Sequence, residues 1–406
     1  MARIVMKFGG TSVADLDRIA NAAERVRREV EAGNEVIVTV SAMAGVTNQL
    51  VGYVDQTSKM YDAREYDTIV SSGEQVTAGL MALRLQSMGI SARSWLGWQI
   101  PIKTNEVHGK ARIEDISTDA IVARFAENQV AVVAGFQGLS PLNRITTLGR
   151  GGSDTTAVAL AAAFKADRCD IYTDVDGVYT TDPRIVSKAK KIDMITFEEM
   201  LEMASQGAKV LQTRSVEVAM NHGVKLQVRS SFEDTPGTMV VDEDEIVEQQ
   251  VVSGIAYSRD EAKITLVRVN DKPGVAAAIF GPLSDGSINV DMIVQSVSPD
   301  GERTDMTFTV TKTDLGRAIE VLEANRPEIG YENLLSDDNV VKISVIGVGM
   351  RSHAGVAQTM FRTLSEKGIN IQVISTSEIK ISTLISEDYT ELALRALHTA
   401  YGLDAQ

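Results

Sequence analysis

Gly149-Arg150-Gly151-Gly152-Ser153-Asp154-Thr155-Thr156 concentrates three glycines, a guanidinium, three hydroxyls and a carboxylate in eight positions. Glycines let a backbone approach a ligand closely, and the free N–H groups of a helix's first turn favour an anion. Arg150 adds a planar cation suited to phosphate or carboxylate. Ser153 or Asp154 is a good N-cap, so a helix is expected through the apolar run 157–164. Taken alone, the stretch serves equally well as a tight strand–helix turn.

Other chemistries find little support. The one cysteine, Cys169, precedes an apolar strand and reads as a core residue. His108, His222, His353 and His398 form no pair at metal-ligand spacing, and no metal site is expected from protein side chains alone. Asp174-x-Asp176-Gly177 lacks the further ligands and closing Glu of a calcium loop. No Gly-x-x-x-x-Gly-Lys-Ser/Thr occurs. Gly347-Val348-Gly349 follows a strand but lacks the third glycine of a dinucleotide loop.

The elements that must position the glycine loop alternate between strand and helix. Apolar strands are expected at 2–8, 35–40, 130–134, 170–173 and 225–228. Helices are expected after Thr11-Ser12, from Ser72 to Leu85, from Thr196 to Ser205 and from Thr213 to Asn221. Near-continuous apolar strands mark a buried, largely parallel sheet. The polar, glycine-rich stretches fall at strand carboxyl ends, where open α/β sheets bind ligands. Residues 1–232 therefore form one α/β domain, and 233–250 form an acidic linker.

Beyond the linker lies an internal repeat. Gly274-Val275-Ala276 recurs as Gly355-Val356-Ala357, Phe280 as Phe361, Leu283-Ser284 as Leu364-Ser365 and Ile288-Asn289 as Ile369-Asn370, always 81 residues later. Each copy reads as βαββαβ, the ferredoxin-like plan, with domains at 251–335 and 336–406.

The chain has 406 residues and a net charge of −15. That balance argues against nucleic acid as the main partner, since phosphate backbones need a basic stripe. No apolar run reaches transmembrane length and strand sequence begins at once, so a cytoplasmic protein without a membrane partner is expected.

Together, Lys7-Phe8-Gly9-Gly10-Thr11-Ser12-Val13, Ser41 with Gly45-Val46-Thr47-Asn48, Ser72-Gly73-Glu74, Gly149 to Thr155 and Tyr172-Thr173-Asp174-Val175-Asp176-Gly177-Val178-Tyr179 resemble the motifs of aspartokinases, in the same order. The tandem repeat resembles that family's paired ACT domains. The resemblance covers essentially the whole chain. It implies an amino-acid-kinase (carbamate-kinase-like) αβα sandwich with a mainly parallel sheet, followed by two ferredoxin-like ACT domains. It also implies transfer of a phosphoryl group from ATP to the side-chain carboxylate of L-aspartate, giving 4-phospho-L-aspartate on the route to lysine, threonine and methionine. The rival readings are another amino-acid kinase and a non-catalytic, amino-acid-sensing regulatory subunit.

The resemblance assigns roles to particular residues. Lys7 would meet the transferring phosphoryl group, with Phe8, Gly9 and Gly10 beside it. Asp154 would orient Lys7 or cap its own helix. Arg150 would bind an aspartate carboxylate and Glu74 the ammonium, among Ser41, Thr47, Gly151, Gly152 and Ser153. No general base is required, because a carboxylate is already an ionised nucleophile at neutral pH. Thr173, Asp174, Tyr179, Thr180, Asp182, Pro183, Arg184 and Lys209 match the nucleotide-binding segment. Mg2+ would bind mainly through ATP, with Asp174 or Asp154 reaching its waters.

In the repeats, an effector amino acid (threonine, lysine or both) would meet Asp271, Pro273, Gly274, Val275, Asn289, Asp291 and Gln295. The second copy offers His353, Ala354, Gly355, Val356, Asn370 and Thr376. Asp271-Lys-Pro-Gly becomes Ser352-His-Ala-Gly there, so the two sites would bind different ligands or one would be structural. ACT repeats of this family often meet across chains. A homo-oligomer is expected, or a hetero-oligomer with a regulatory chain started internally, for which Met239 is available.

Overall fold

The computed structural model of the chain describes residues 1–208, 210–246, 250–297 and 302–404. The chain divides into two compact units: residues 1–178, 191–204 and 209–247 in the first, and 179–190, 205–208 and 248–406 in the second.

The first unit starts with β1 (Arg3–Phe8), α1 (Leu16–Glu31), β2 (Glu35–Val40), α2 (Val46–Thr57), α3 (Ala63–Val70), α4 (Ser72–Ser87) and β3 (Ala92–Trp95). It continues through β4 (Ile102–Thr104), β5 (Ile113–Ile116), α5 (Asp119–Phe125), β6 (Val130–Ala134), β7 (Gln137–Leu139), β8 (Ile145–Thr147), α6 (Gly152–Ala163) and β9 (Arg168–Thr173). It closes with β10 (Met194–Thr196), α7 (Phe197–Ser205), α8 (Thr213–His222), β11 (Leu226–Ser230) and β12 (Thr238–Val241).

Eight of these strands form one sheet in the order β10-β12-β11-β9-β1-β2-β6-β3, parallel except for the β11–β12 pair. The chain leaves β1 on one side for β2 and later returns on the other for β9, so β1 marks the switch point. Alternate residues of the strands, among them Met6, Phe8, Val38 and Val132, pack against Ile19, Ala23 and Val26 of α1 and Met81 and Leu85 of α4. Strands buried on both faces explain the near-continuous apolar runs in the sequence. A smaller sheet, β5-β4-β7-β8, carries the hairpin that delivers the glycine loop.

Two helix starts differ from expectation. Thr11 and Ser12 lie in or beside a single 3-10 turn, Gly10–Val13, and α1 is capped by Asp15, whose side chain accepts from Arg18 N at 2.8 Å. Helix α6 starts at Gly152 with Gly151 as N-cap, so Ser153 and Asp154 sit inside its first turn. Gly151 adopts φ +71°, and a Cβ there would lie 2.2 Å from Gln212 Cγ. The loop is too tight for a side-chain cap.

The second unit holds β13 (Gly254–Asn270), α9 (Val275–Asp285), β14 (Asp291–Val297), β15 (Arg303–Val310), α10 (Leu315–Ala324), α11 (Arg326–Ile329), β16 (Asn333–Ile346), α12 (Val356–Glu366), β17 (Val373–Thr376), β18 (Lys380–Ser386) and α13 (Thr390–Ala400). The six strands form one antiparallel sheet in the order β14-β15-β13-β16-β18-β17.

Its two long strands each serve both repeats. Residues 263–267 of β13 pair with 333–337 of β16 and with β15, completing the first copy. Residues 254–258 pair instead with 342–346 of β16, which also borders β18. The second copy therefore takes its fourth strand from upstream of the first, and the strand pairing does not follow a cut at 335/336. Each copy keeps its own core, with Ile264, Ile279, Phe308 and Leu322 in one and Ile343, Met360, Leu364 and Leu394 in the other.

Candidate functional site

A cavity of about 550 Å³ opens at the carboxyl ends of β1 and β2. Parallel pairing puts Phe8 beside Val40 and Tyr172, so the loops leaving β1, β2 and β9 emerge at one edge of the sheet. Lys7, Gly10, Ser41, Thr47, Glu74, Arg150, Gly151, Gly152, Ser153 and Asp154 all line the cavity. Residues separated by up to 147 positions are thus gathered in one place.

Lys7 Nζ and Asp154 Oδ1 are 2.5 Å apart, and both side chains are largely buried. A buried pair of this kind is held by mutual attraction against the loss of hydration. Glu74, in the first turn of α4, is 3 % exposed. One of its oxygens accepts from Ala42 N at 3.1 Å, while Oε2 is buried and has no hydrogen-bond partner among the described residues. Burial pushes this carboxyl up to about 7, against which the Ala42 amide acts. The close packing behind it depends on Gly73, where a Cβ would come within 2.7 Å of Ala42 Cβ. Arg150 is exposed and forms no ion pair among the described residues. The site therefore combines a paired cation, an unsatisfied acid and an unpaired guanidinium.

The nucleotide candidates do not share one setting. Phe8 is fully buried and stacks on Tyr172 with ring centres 4.7 Å apart, and it is not among the residues that line the cavity. Thr173 ends β9 and donates from Oγ1 to Asp174 Oδ1 at 3.2 Å, in the first unit. Tyr179, Thr180, Asp182, Pro183 and Arg184 belong to the second unit. There Asp182 accepts from Tyr257 Oη at 3.1 Å and pairs with Arg184, whose hydrogen bond holds its carboxyl below the usual range. Thr180 is buried against His398. Lys209 lies outside the described residues.

In the repeats, Gly274 (φ +93°) and Gly355 (φ +98°) are the equivalent N-caps of α9 and α12. Pro273, Ala354, Asn289, Asn370 and Thr376 are exposed near these helix starts and the second strands, whereas Val275 and Val356 turn inward. Gln295 Nε2 lies 3.4 Å from Asp271 Oδ1, bringing those two candidates together. His353 Nδ1 is 2.8 Å from Gly349 O. Asp291 is already engaged: Lys342 Nζ lies 2.7 Å from its carboxylate and 2.8 Å from that of Glu261.

Sequence reading missed several cavity residues. Tyr66, Gly109, Lys110, Phe136 and Thr147 line it as well. Behind them, Asp67 and Arg214 hold two of the lining loops, and no spacing in the sequence connects these residues. Among the described residues, no cluster of three or more His, Cys, Asp or Glu could hold a metal, and no helix is long and apolar enough to cross a membrane.

Comparison with known proteins supplies the family. The model of the amino acid kinase family matches residues 2–230, and ACT-domain models match residues 263–327 and 343–401. The chain is 55 % identical over 407 residues to an aspartokinase of Pseudomonas aeruginosa, covering 100 % of this chain and 98 % of that one. It is 54 % identical over 406 residues to an aspartate kinase of Stutzerimonas stutzeri, with the same coverage. Among solved structures, Escherichia coli aspartokinase III in complex with aspartate and ADP (R-state) matches with TM-score 0.81 and 28 % identity, over 98 % of this chain and 99 % of that one. Two full-length matches above half identity, over a kinase domain followed by two ACT repeats, settle the assignment: the chain belongs to the aspartokinase family.

Proposed function

We propose that this chain phosphorylates the side-chain carboxylate of L-aspartate with ATP, forming 4-phospho-L-aspartate. The observation that carries this reading is the unpartnered Glu74 oxygen in a cavity that also holds the unpaired Arg150 and the Lys7–Asp154 pair. An amino acid with a second carboxylate needs one anion for its ammonium and cations for its carboxylates. Glu74 would take the ammonium, and Arg150 a carboxylate, with the hydroxyls of Ser41, Thr47 and Ser153 and the main chain of Gly151 and Gly152 around them.

Phosphoryl transfer rests on alignment and on neutralising charge around an in-line transition state. Lys7 would meet the transferring group, held in place by Asp154, while Gly10 lines the cavity and lets the main chain approach it; the Gly9 N–H already donates to Tyr172 O at 3.2 Å. The aspartate carboxylate attacks the γ-phosphorus as the bond to the ADP oxygen breaks, and no proton need move. The nucleotide would be held by Thr173, Asp174 and the segment Tyr179–Arg184, with Lys209 as a further cation. Mg2+ would be bound chiefly by the ATP phosphates, whose charge it would neutralise, with the carboxylates of Asp154 and Asp174 placed to reach its waters.

The repeats would bind threonine, lysine or both and lower activity by favouring one arrangement of the chain. Lysine is present with aspartate in a T-state structure of E. coli aspartokinase III, 27 % identical with TM-score 0.76. An assembly through the ACT repeats would supply the contacts between chains, and the buried single cysteine suits the cytoplasm. The deciding experiment traps the acyl phosphate as hydroxamate with L-aspartate and, separately, L-glutamate, with and without lysine and threonine. Product from aspartate and inhibition by an effector are expected. Turnover of glutamate alone would point to another amino-acid kinase, and no product from either to a regulatory chain.

A further inference from the structure

Asp67 on α3 is completely buried, yet among the described residues it touches no cation except, when protonated, His108. A carboxylate without solvent is tolerated only when its oxygens are filled by donors. Here every donor comes from a loop that walls the cavity. Thr147 Oγ1 donates to Oδ1 at 2.5 Å, Gly109 N donates to the same oxygen at 3.1 Å, and His108 Nδ1 lies 2.6 Å from Oδ2.

Thr147 ends β8 two residues before Gly149, so its position sets where the Gly149–Arg150 turn begins. The two loops also hold each other. Ala111 N donates to Thr147 O at 2.9 Å, and a Cβ on Gly149 would come within 3.1 Å of Gly109 O. Arg214 on α8 also joins the two loops, with Nη1 donating to Leu148 O at 2.9 Å and Nη2 to Ala111 O at 2.8 Å. Its guanidinium spans the same pair of loops and forms no ion pair among the described residues. Two charged side chains, Asp67 fully buried and Arg214 partly so, thus converge on one short stretch of main chain.

We propose that Asp67 and Arg214 are positioning residues that fix the Arg150 turn and the neighbouring Gly109–Lys110 wall for the amino-acid substrate. The inference rests on the reading that Arg150 meets an aspartate carboxylate. Neither residue lines the cavity, so each acts through the loops. Loosening the turn displaces Arg150 but not Lys7, which is anchored on β1. The cost should therefore fall on aspartate, not on ATP.

The test measures KM for aspartate, KM for ATP, kcat and the thermal midpoint for Thr147→Val, Thr147→Ser, Arg214→Gln, Asp67→Asn and Arg150→Ala in the full chain. A displacement of about 1 Å can cost up to about 100-fold in catalysis, so a rise of roughly tenfold in aspartate KM is expected for Thr147→Val and Arg214→Gln. ATP KM should stay within about twofold, and Thr147→Ser, which keeps the hydroxyl, should restore the parent value. Should Asp67→Asn fail to fold, the Thr147 pair and Arg214→Gln still decide. Unchanged aspartate KM in those folded variants, with a raised value in Arg150→Ala, would overturn the inference while leaving the substrate reading intact. Unchanged aspartate KM in Arg150→Ala would remove the substrate reading, and the inference with it.

Discussion

His398 Nε2 and Thr180 Oγ1 meet at 2.8 Å in the second unit, with His398 fully buried and Thr180 nearly so. The other imidazole nitrogen lies 2.8 Å from Asp404 Oδ1. Thr180 O accepts from Ile255 N, and Val186 packs in the core of the second repeat. The segment that family resemblance assigns to the nucleotide is thus folded into the unit that carries the ACT repeats.

Thr180→Val removes the hydroxyl and leaves a buried imidazole nitrogen without its partner, a loss of about 1–3 kcal/mol. A lowered thermal midpoint is expected, together with a raised KM for ATP and an unchanged KM for aspartate. Steady-state kinetics with each substrate varied in turn at saturation of the other check this, and an unaltered ATP KM would separate Thr180 from nucleotide binding.

The elevated Glu74 carboxyl sets a pH dependence. Below about pH 7 the resting acid is protonated, and an incoming ammonium must displace that proton. Aspartate affinity should therefore fall by about tenfold per unit below this point and level off above it. The folded chain holds a proton that the unfolded chain has already lost, so the contribution of Glu74 to stability is unfavourable. It is absent below about pH 4.5 and grows to about 3 kcal/mol as pH rises through 7. Glu74→Gln should abolish the step in aspartate affinity and make the ligand-free protein more stable than the parent at pH 8 but not at pH 4. Equal stability at both values would refute the assignment.

Lys7→Ala should lower kcat by roughly 100-fold or more, the scale for losing one preorganised charge at a transition state. Asp154→Asn, which keeps shape but frees Lys7, should cost less. Single-turnover measurements of phosphoryl transfer distinguish this from slowed product release. A Lys7→Ala enzyme that is folded and close to parent turnover would exclude Lys7 from the chemistry.

Lys342 is buried between Glu261 and Asp291. Burial alone would pull its ammonium down, but the two carboxylates outweigh it and hold it above its ordinary value. The stabilisation is therefore present throughout the neutral range and is lost only as pH rises through that raised value. Lys342→Met should destabilise the second unit by about 3–5 kcal/mol, because Glu261 is left buried without its cation. If Asp291 serves an effector ammonium, Lys342 competes for it, and the same variant should bind the effector more tightly. Calorimetric titration with threonine and with lysine reads the second effect.

The sequence made the kinase sheet legible because its strands are apolar on both faces, and the repeat legible because Gly274 and Gly355 must occupy the same left-handed position. The site was readable where glycines and charges cluster in short motifs. It was unreadable at Asp67, His108 and Arg214, whose partners lie 41 or more positions away and follow no period. The start of α6 was misplaced for a related reason. Asp154 has the chemistry of a cap, but Lys7, far off in the chain, claims its carboxylate. Local rules also say nothing about residues 254–258, whose strand partners are determined by the fold of everything between.

That last pairing has a bearing on synthesis. Residues 254–258 leave the ribosome more than eighty residues before 342–346, the stretch they must join. In the interval the first repeat can complete its own strands and core, and in doing so it brings the waiting strand and the start of the second repeat side by side. Loop closure is then supplied by a folded insert and not by a random search. The second repeat should consequently be the last part of the chain to acquire protection during translation, and its arrival should depend on the integrity of the first.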